Sequence, residues 1–246
     1  MSISTRRASA SGRTKVETET KTARVRWVRK ANGDSDRNKE YAGASIPTML
    51  VTVEGIDGAG KSTVVERLKD EMETDAVFTR EPTSSWLGDA VRRSIEDDES
   101  VPLADLFLFV ADHADHVERV IRPALADDEL VICDRYVDSR YAYQGATLAE
   151  RDEEVFDDAL DWVRGLHEGW TVVPELTLLL DIQPDEAVER LDRETVKFER
   201  AEFLREVRQN YMRLAESEER FVVIDATQEV DEVVARCVNE IESRVG

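Results

Sequence analysis

The chain lacks the long apolar runs that membrane proteins need. No uncharged hydrophobic stretch in its 246 residues approaches the roughly 18 that a membrane-spanning helix requires, and the N-terminus has no apolar core of a secretory signal. Cysteine is scarce as well: Cys133 and Cys237 lie in an apolar strand pattern and on an apolar helix face, as buried free thiols do. A disulfide framework and a cysteine-rich metal site are therefore excluded. We expect a cytoplasmic protein that has no membrane partner.

Lysine is almost missing from most of the chain. Residues 49–246 contain 3 lysines, 19 arginines and 49 acidic residues, which gives a net charge of −27. Such an acidic, lysine-poor surface is typical of a protein that stays soluble in a salt-rich cytosol, where molar salt screens charges within about 3 Å. The same surface argues against nucleic acid as a partner of residues 49–246.

The first 48 residues differ in composition from the rest. They carry 11 basic and 5 acidic residues and show no sustained helical or strand period. We expect residues 1–48 to form a disordered basic extension, followed by one α/β domain over residues 49–246. The charge changes sign next to Met49, which suggests the alternative that translation starts at Met49. Peptides from residues 1–48 in mass spectra of the native protein would exclude that alternative.

Five short apolar runs alternate with helical patterns. The runs are Leu50–Val53, Ala76–Thr79, Leu130–Cys133, Leu176–Leu180 and Phe221–Ile224. This alternation predicts an α/β fold with a five-stranded parallel sheet that helices cover on both faces. A helix is predicted over residues 102–120, and its core-facing residues are expected to be Leu103, Leu106, Phe107, Phe109 and Val110. The charged stretch from Asp192 to Lys197 is predicted to be a short lid.

One glycine-rich motif directly follows the first predicted strand. Residues 55–63 read Gly55-Ile56-Asp57-Gly58-Ala59-Gly60-Lys61-Ser62-Thr63 and fit G-x-x-x-x-G-K-[ST] ahead of a helix. The glycines let successive backbone N–H groups turn towards a phosphate, and the helix N-terminus points at the same charge. Lys61 then meets the β- and γ-phosphates and the Ser62 hydroxyl binds magnesium. The motif predicts a phosphate-binding loop.

Charged residues follow two further strands. Arg80 comes after the second run, and Asp134 and Arg135 come after the third. In an open parallel sheet, ligands bind at the carboxyl ends of the strands. There the two arginines can grip a phosphate as planar forks, while Asp134 accepts from a magnesium-bound water. Phosphoryl transfer needs such positioned cations, so we predict that Lys61, Arg80, Asp134 and Arg135 are catalytic.

From Met49 to the C-terminus the chain resembles the thymidylate kinase family. The matching segments are Glu54–Thr63, Thr79–Pro82, Phe109–Asp112, Asp134–Tyr136 with Ser139 and Ala142–Gly145, and Lys197–Glu199. Each segment is weak by itself, but their joint order separates this chain from other P-loop proteins. The resemblance implies the P-loop NTPase fold of the nucleoside monophosphate kinases and ATP-dependent phosphorylation of dTMP to dTDP. It also implies magnesium as a cofactor and a homodimer.

The resemblance further implies roles in dTMP binding. Phe109 would stack on the thymine, and Tyr143 would lie where a 2′-hydroxyl would project from the sugar. Asp57 would receive the 3′-hydroxyl, Ser139 and Gln144 would flank the base, and Arg80 and Arg135 would hold the phosphate.

The chain departs from the family pattern at two positions. The family reads Ala-Asp-Arg where this chain has Ala111-Asp112-His113, so an imidazole with one donor and a shorter reach replaces an arginine that contacts the base. Some members also place a transition-state arginine where this chain has Gly58. We expect that cation to come from the lid region, which offers Arg190, Arg193 and Lys197, the last of these beside ATP.

Two other functions stay open from the sequence alone. A deoxynucleoside kinase would share the phosphate loop, but its neutral hydroxyl acceptor would need a carboxylate base and would leave Arg80 and Arg135 without an anionic target. A nucleotide-gated binding module without transfer activity would not need Lys61, Ser62, Asp134 and Arg135 together. An assay of ATP turnover with dTMP and with thymidine separates these alternatives.

The charge of residues 49–246 leads to a prediction about salt. Their carboxylates repel one another over roughly 30 Å at 0.01 M salt but only about 3 Å at molar salt. We expect the thermal midpoint and the dTMP-dependent rate to rise between about 0.1 M and about 3 M potassium chloride, because site contacts are screened less than surface charges. A flat or falling midpoint over that range would contradict the adaptation to salt.

Overall fold

The computed structural model of the protein describes residues 48–97, 99–151, 156, 158–191 and 197–245. The predicted basic extension, apart from Thr48, lies outside the described residues, so its disorder and the alternative start at Met49 stay predictions. Residues 192–196 of the predicted lid also lie outside them.

Five parallel strands form one sheet in the described part of the chain. They are β1 (Met49–Glu54), β2 (Ala76–Arg80), β3 (Leu130–Asp134), β4 (Leu176–Asp181) and β5 (Phe221–Asp225), in the spatial order β2-β3-β1-β4-β5. The predicted five-stranded parallel sheet is therefore confirmed. Each strand continues one residue beyond the predicted apolar run and ends on a charged side chain, because the ladder is made by backbone groups and extends past the apolar residues.

The register of the sheet places the charged strand ends beside one another. Val53 of β1 pairs with Asp134 of β3, and Asp134 pairs with Arg80 of β2. The carboxyl ends of three neighbouring strands therefore meet at one edge of the sheet, with β1 in the middle of the five.

The helices that the structure describes are α1 (Lys61–Glu71), α2 (Trp86–Ile95), α3 (Pro102–His116), α4 (Arg122–Ala126), α5 (Val137–Arg151), α6 (Ala159–Gly165), α7 (Pro184–Arg190), α8 (Lys197–Ser217) and α9 (Val230–Val245). Local sequence accounts for several of their first residues. Ser85 caps α2 by accepting hydrogen bonds from the N–H groups of Leu87 and Gly88, and proline occupies the first position of α3 and α7. None of these helices is both long and apolar enough to cross a membrane.

Alternate residues of the central strand pack against different helices. Val51 and Val53 belong to a core that includes α1, α8 and α9, whereas Leu50 belongs to a core formed with α3, α4 and α6. The sheet is thus covered on both faces, as predicted. Cys133 and Cys237 are buried free thiols, one in each core.

Helix α3 differs from its prediction in length and in orientation. It ends at His116, and a π-helical turn over Val117–Ile121 leads into α4. Leu106 is buried, but Leu103 is 41% and Phe107 52% exposed, so the expectation that these two face the core was wrong. They are four residues apart and share one side of the helix, which is exposed while Leu106 is buried.

Helix α3 also carries part of a buried polar cluster. His113 and His116 each donate from Nδ1 to Oε1 of Glu81, at 2.9 and 2.6 Å, and Arg140 forms an ion pair with Oε2 of the same carboxylate. Burial by itself would raise the pKa of Glu81, but the Arg140 guanidinium and His113 hold it well below its usual value. Glu81 is therefore a buried carboxylate whose charge is neutralised by its neighbours.

The third histidine of the chain, His167, packs against this cluster. Its ring centroid lies 5.4 Å from that of His113, and its Nδ1–H donates to the carbonyl of Val163 at 2.9 Å. Burial lowers the pKa of His167 to about 3 and also lowers the pKa of His113. Both imidazoles are consequently neutral in the folded protein at neutral pH.

This burial predicts a loss of stability in acid. Below pH 6.5, the ordinary pKa of histidine, the unfolded chain protonates His167 while the folded chain does not, so the free energy of unfolding falls as the pH falls. The slope of the free energy of unfolding against pH should be smaller in the His167→Phe variant by about 1.4 kcal/mol per pH unit. Urea titrations between about pH 7 and pH 5 measure it. Equal slopes in the wild type and the variant would contradict the buried neutral imidazole.

Candidate active site

The phosphate loop runs from the end of β1 to the first residue of α1. Gly55 has φ of +141° and Gly58 has φ of +86°, values that favour glycine. A Cβ atom at Gly58 would lie 2.3 Å from the carbonyl oxygen of Ala187 in α7, and one at Gly55 would lie 2.5 Å from that of Leu180 in β4. The loop is therefore packed so closely against β4 and α7 that neither position accepts a side chain.

Lys61 begins α1 and is almost fully buried at the base of the loop. Its ammonium group donates to the carbonyl oxygen of Ile56 at 2.7 Å, across the loop. Burial, followed by the positive charge of Arg135, lowers the pKa of Lys61 to about 7. Phosphate oxygens bound in the loop would favour the charged form, because an adjacent anion raises the pKa of an amine.

A first cavity of about 710 Å³ opens over this loop, and we call it the loop cavity. Residues 57–64 form one wall, and the segment between β5 and α9, from Ala226 to Val230, forms another. Arg80, Arg135 and Arg190 also line it, and Arg190 donates from Nη1 to the carbonyl of Ala226 at 3.1 Å. The cavity thus joins the phosphate loop to three guanidinium groups.

Two oxygen groups that suit a cation meet at Ser62, which lines the loop cavity. The Ser62 hydroxyl donates to Oδ2 of Asp134 at 2.9 Å. The other carboxylate oxygen, Oδ1, is buried and has no hydrogen-bond partner among the residues that the structure describes. A hard cation such as Mg²⁺ prefers oxygen ligands and takes only one or two from the protein when it binds nucleotide phosphates, so this pair fits such an ion.

A second cavity of about 400 Å³ lies beside the first, and we call it the aromatic cavity. About half of its lining residues are apolar or aromatic, mostly from α3, α5 and α8, and the others are polar or charged. Its lining residues include Asp57, Phe109, Arg135, Ser139, Arg140, Tyr143 and Gln144. Asp57 and Arg135 line both cavities, so the two spaces meet at this pair.

Arg135 is held firmly where the cavities meet. Its Nη2 donates to Oδ1 of Asp57 at 2.5 Å and its Nη1 to the hydroxyl of Ser139 at 3.2 Å, while the guanidinium carbon lies 5.1 Å from the ring centroid of Tyr143. Its backbone has φ of +64°, a left-handed conformation that is uncommon for residues other than glycine. Strained backbone of this kind persists where the surroundings fix it, and it clusters at functional sites.

A buried carboxylate supports this arrangement from below. Glu54 accepts hydrogen bonds from the hydroxyls of Ser139 and Tyr211, at 2.5 and 2.9 Å, and from the N–H of Tyr136 at 2.7 Å. Burial, followed by the charge of Asp138, raises the pKa of Glu54 to about 7. The three donors tie the end of β1 to α5 and α8, and so fix the start of the helix that follows Arg135.

The structure brings most of the predicted site residues together. The phosphate loop, Arg80, Arg135 and Arg190 line the loop cavity, while Asp57, Phe109, Arg135, Ser139, Tyr143 and Gln144 line the aromatic cavity. Arg80 was predicted to hold the acceptor phosphate, but it is exposed and lines only the loop cavity. Arg193 and the side chain of Lys197 lie outside the described residues.

His113 is not placed in either cavity. It is fully buried, with Nδ1 bound to Glu81 and Nε2 accepting from the Thr171 hydroxyl at 2.7 Å. Arg140, to which the sequence analysis gave no role, lines the aromatic cavity instead. A sequence signal for it existed: Arg140 and Gln144 are four residues apart on α5 and share a helix face.

The sequence matches the family model described as Thymidylate kinase over residues 53–237. Three similar proteins are each called "Probable thymidylate kinase". The protein of Methanococcoides burtonii is 52% identical over 75% of this chain and 91% of its own length. The protein of Halorubrum lacusprofundi is 52% identical over 80% of this chain and 98% of its own length. The protein of Natronomonas pharaonis is 52% identical over 79% of this chain and 98% of its own length. With its phosphate loop, paired cavities and strand-end arginines, the chain belongs to the thymidylate kinase family.

Proposed function

We propose that this chain transfers the γ-phosphate of ATP to dTMP and releases ADP and dTDP. The observation that carries the proposal is the meeting of the two cavities at Asp57 and Arg135. The loop cavity takes the donor, because backbone N–H groups, the N-terminus of α1 and Lys61 surround its phosphate end. The aromatic cavity takes the acceptor nucleoside. The two phosphates then meet at Arg135.

The acceptor needs no protein base. An oxygen of the dTMP phosphate is already anionic and attacks the γ-phosphorus, the bond between that phosphorus and the β–γ bridging oxygen breaks, and ADP leaves with the electron pair. Charge spreads over the moving phosphoryl group, and catalysis consists mainly of positioning and of cations around it. Lys61 and Arg135 supply two such cations, and Arg190 and Arg80 on the wall of the loop cavity supply two more.

Magnesium is the cofactor that the donor site fits. Ser62 and Asp134 would hold it, because the Oδ1 atom of Asp134 is a buried oxygen without a partner in the described part of the chain. When bound, the ion would neutralise part of the charge on the phosphates.

Acceptor recognition follows from the wall of the aromatic cavity. Phe109 offers a ring on which a base can stack. Tyr143 accepts a hydrogen bond from the N–H of Asp57 at 2.8 Å, and its ring packs against the Arg135 guanidinium. This contact sets Tyr143 between the phosphate end of the cavity and the base end, where the sugar would lie.

We also propose that the protein forms a homodimer through α2 and α3. These helices pack against each other and expose large apolar side chains: Trp86 is 75%, Phe107 52% and Leu103 41% exposed. Apolar surface of this kind is typical of an interaction site when it is concentrated in one region. A cytoplasmic location stays a prediction.

The activity is tested with Lys61→Ala in an assay that couples ADP formation to NADH oxidation. We expect the wild type to consume ATP with dTMP and not with thymidine. The variant should lose roughly a thousandfold or more in kcat, because a donor-phosphate cation is removed, while calorimetry should show nearly unchanged dTMP affinity. Lys69→Ala is the matched control, since Lys69 lies on the same helix but contacts Glu66 and the ring of Phe78 and lines neither cavity. Turnover with thymidine instead of dTMP would contradict the proposal.

The dimer is tested by sedimentation of Phe107→Glu. A charge in an apolar interface is strongly unfavourable, so we expect this variant to sediment as a monomer at concentrations where the wild type is a dimer. Val223→Glu serves as the control, because Val223 is 45% exposed on β5, away from α2 and α3. A monomeric wild type, or a Phe107→Glu dimer as stable as the wild type, would refute the interface.

A further inference from the structure

We propose that Arg140 recognises the base of the acceptor by donating hydrogen bonds to its C4 keto oxygen. Arg140 thus makes the contact with the base that the buried His113 does not make. This inference rests on the proposed function, because it requires that a pyrimidine nucleotide occupies the aromatic cavity.

The position of Arg140 is the first observation that supports this role. Its side chain is only 2% exposed, yet it lines the aromatic cavity together with Phe109 and Gln144. The guanidinium carbon lies 5.6 Å from the ring centroid of Phe109. A base that reaches Phe109 therefore comes within reach of the guanidinium as well.

The donors of Arg140 are only partly used within the protein. A guanidinium carries five N–H groups. Nη1 donates to the carbonyl of Tyr136 at 2.7 Å, Nε donates to that of Phe109 at 3.4 Å, and Nη2 pairs with Glu81. The remaining N–H groups of Nη1 and Nη2 have no acceptor among the described residues. Donors left without an acceptor in a buried group are costly, and an oxygen of a ligand in the cavity would satisfy them.

The buried cluster behind Arg140 fixes its orientation. Glu81 pairs with the guanidinium through Oε2 and accepts from His113 and His116 through Oε1. With both carboxylate oxygens engaged and two backbone carbonyls bound, the fork cannot rotate freely. His113 itself has both ring nitrogens occupied and no exposed surface. It contacts the cluster behind Arg140 and does not line the aromatic cavity.

The direction of α5 identifies which end of the nucleotide Arg140 meets. Arg135, just before α5, lies at the phosphate end, and Arg140 lies in the first turn of α5, which begins at Val137. The C4 oxygen lies on the edge of a pyrimidine away from the sugar, whereas the C2 oxygen lies beside the glycosidic bond. The guanidinium of an arginine has only hydrogen-bond donors. It therefore favours a base with a keto oxygen at C4 and disfavours cytosine, which has an amino group there.

The test compares dTMP, dUMP and dCMP as acceptors for the wild type and Arg140→Lys. Lysine keeps a positive charge opposite Glu81 but loses the fork. We expect kcat/KM for dTMP and dUMP to fall together by roughly ten- to a hundredfold, mainly through KM, because a hydrogen bond from a charged group is lost. The value for dCMP should stay nearly the same, so the preference for dTMP shrinks. An unchanged ratio of dTMP to dCMP would overturn the proposal.

An analogue of dTMP with sulfur in place of the C4 oxygen, a weaker acceptor that keeps the N3–H, gives a second measurement that needs no folded variant. The wild type should bind it roughly ten- to a hundredfold more weakly than dTMP in calorimetry, whereas equal binding would overturn the proposal. In Arg140→Lys the difference between the two ligands should nearly vanish, which assigns the lost contact to this side chain.

His113→Gln separates Arg140 from the alternative that the imidazole contacts the base directly. We expect this variant to change the thermal midpoint, because it alters a buried partner of Glu81, and to leave the dTMP to dCMP ratio close to that of the wild type. A ratio that moves with His113→Gln and not with Arg140→Lys would reverse the assignment. A wild type that does not phosphorylate dTMP at all would instead refute the proposed function, and the binding measurement with the analogue would still report on Arg140.

Discussion

The parallel pairing of β1 with β3, and of β3 with β2, is the constraint on which the site depends. It sets Val53, Asp134 and Arg80 side by side at one edge of the sheet and starts the phosphate loop from the central strand. Parallel strands require crossover connections, so each of these strand ends is also the start of a loop that leads to a helix. The site is therefore built from several loops that one backbone ladder aligns.

Buried carboxylates hold the two arginines of the aromatic cavity. Glu54 lies below Arg135 and bonds to Ser139, which in turn accepts from that arginine, and Glu81 pairs with Arg140. A buried charge is tolerated only when it is paired and hydrogen-bonded, and both carboxylates meet this condition through several donors. Glu81 directly, and Glu54 through Ser139, fix the direction of a guanidinium before a substrate arrives, and such preorganisation reduces the cost of binding and of reaching the transition state.

The protein surface is acidic, whereas the loop cavity is lined by cationic side chains. Residues 49–246 carry a net charge of −27, yet both substrates of the proposed reaction are anions. Long-range repulsion falls with ionic strength, whereas contacts inside the cavities are desolvated and screened less. A salt-rich solvent therefore suits this distribution of charge.

The sequence by itself determined the sheet, the phosphate loop and the family, because these depend on local signals. Apolar runs of strand length, the glycine spacing before Lys61 and charged residues at strand ends are readable without knowing which elements touch. The tertiary structure decided which face of α3 packs inward, and it set His113 against Glu81 and Arg140 beside Phe109. Those outcomes depend on contacts between residues 81, 113 and 140, which lie on a strand-end loop and two separate helices. Partners so distant in the chain leave no periodic signal. Only the packing of α3 and α5 around one buried carboxylate decides that the guanidinium of Arg140, and not the imidazole of His113, lines the aromatic cavity.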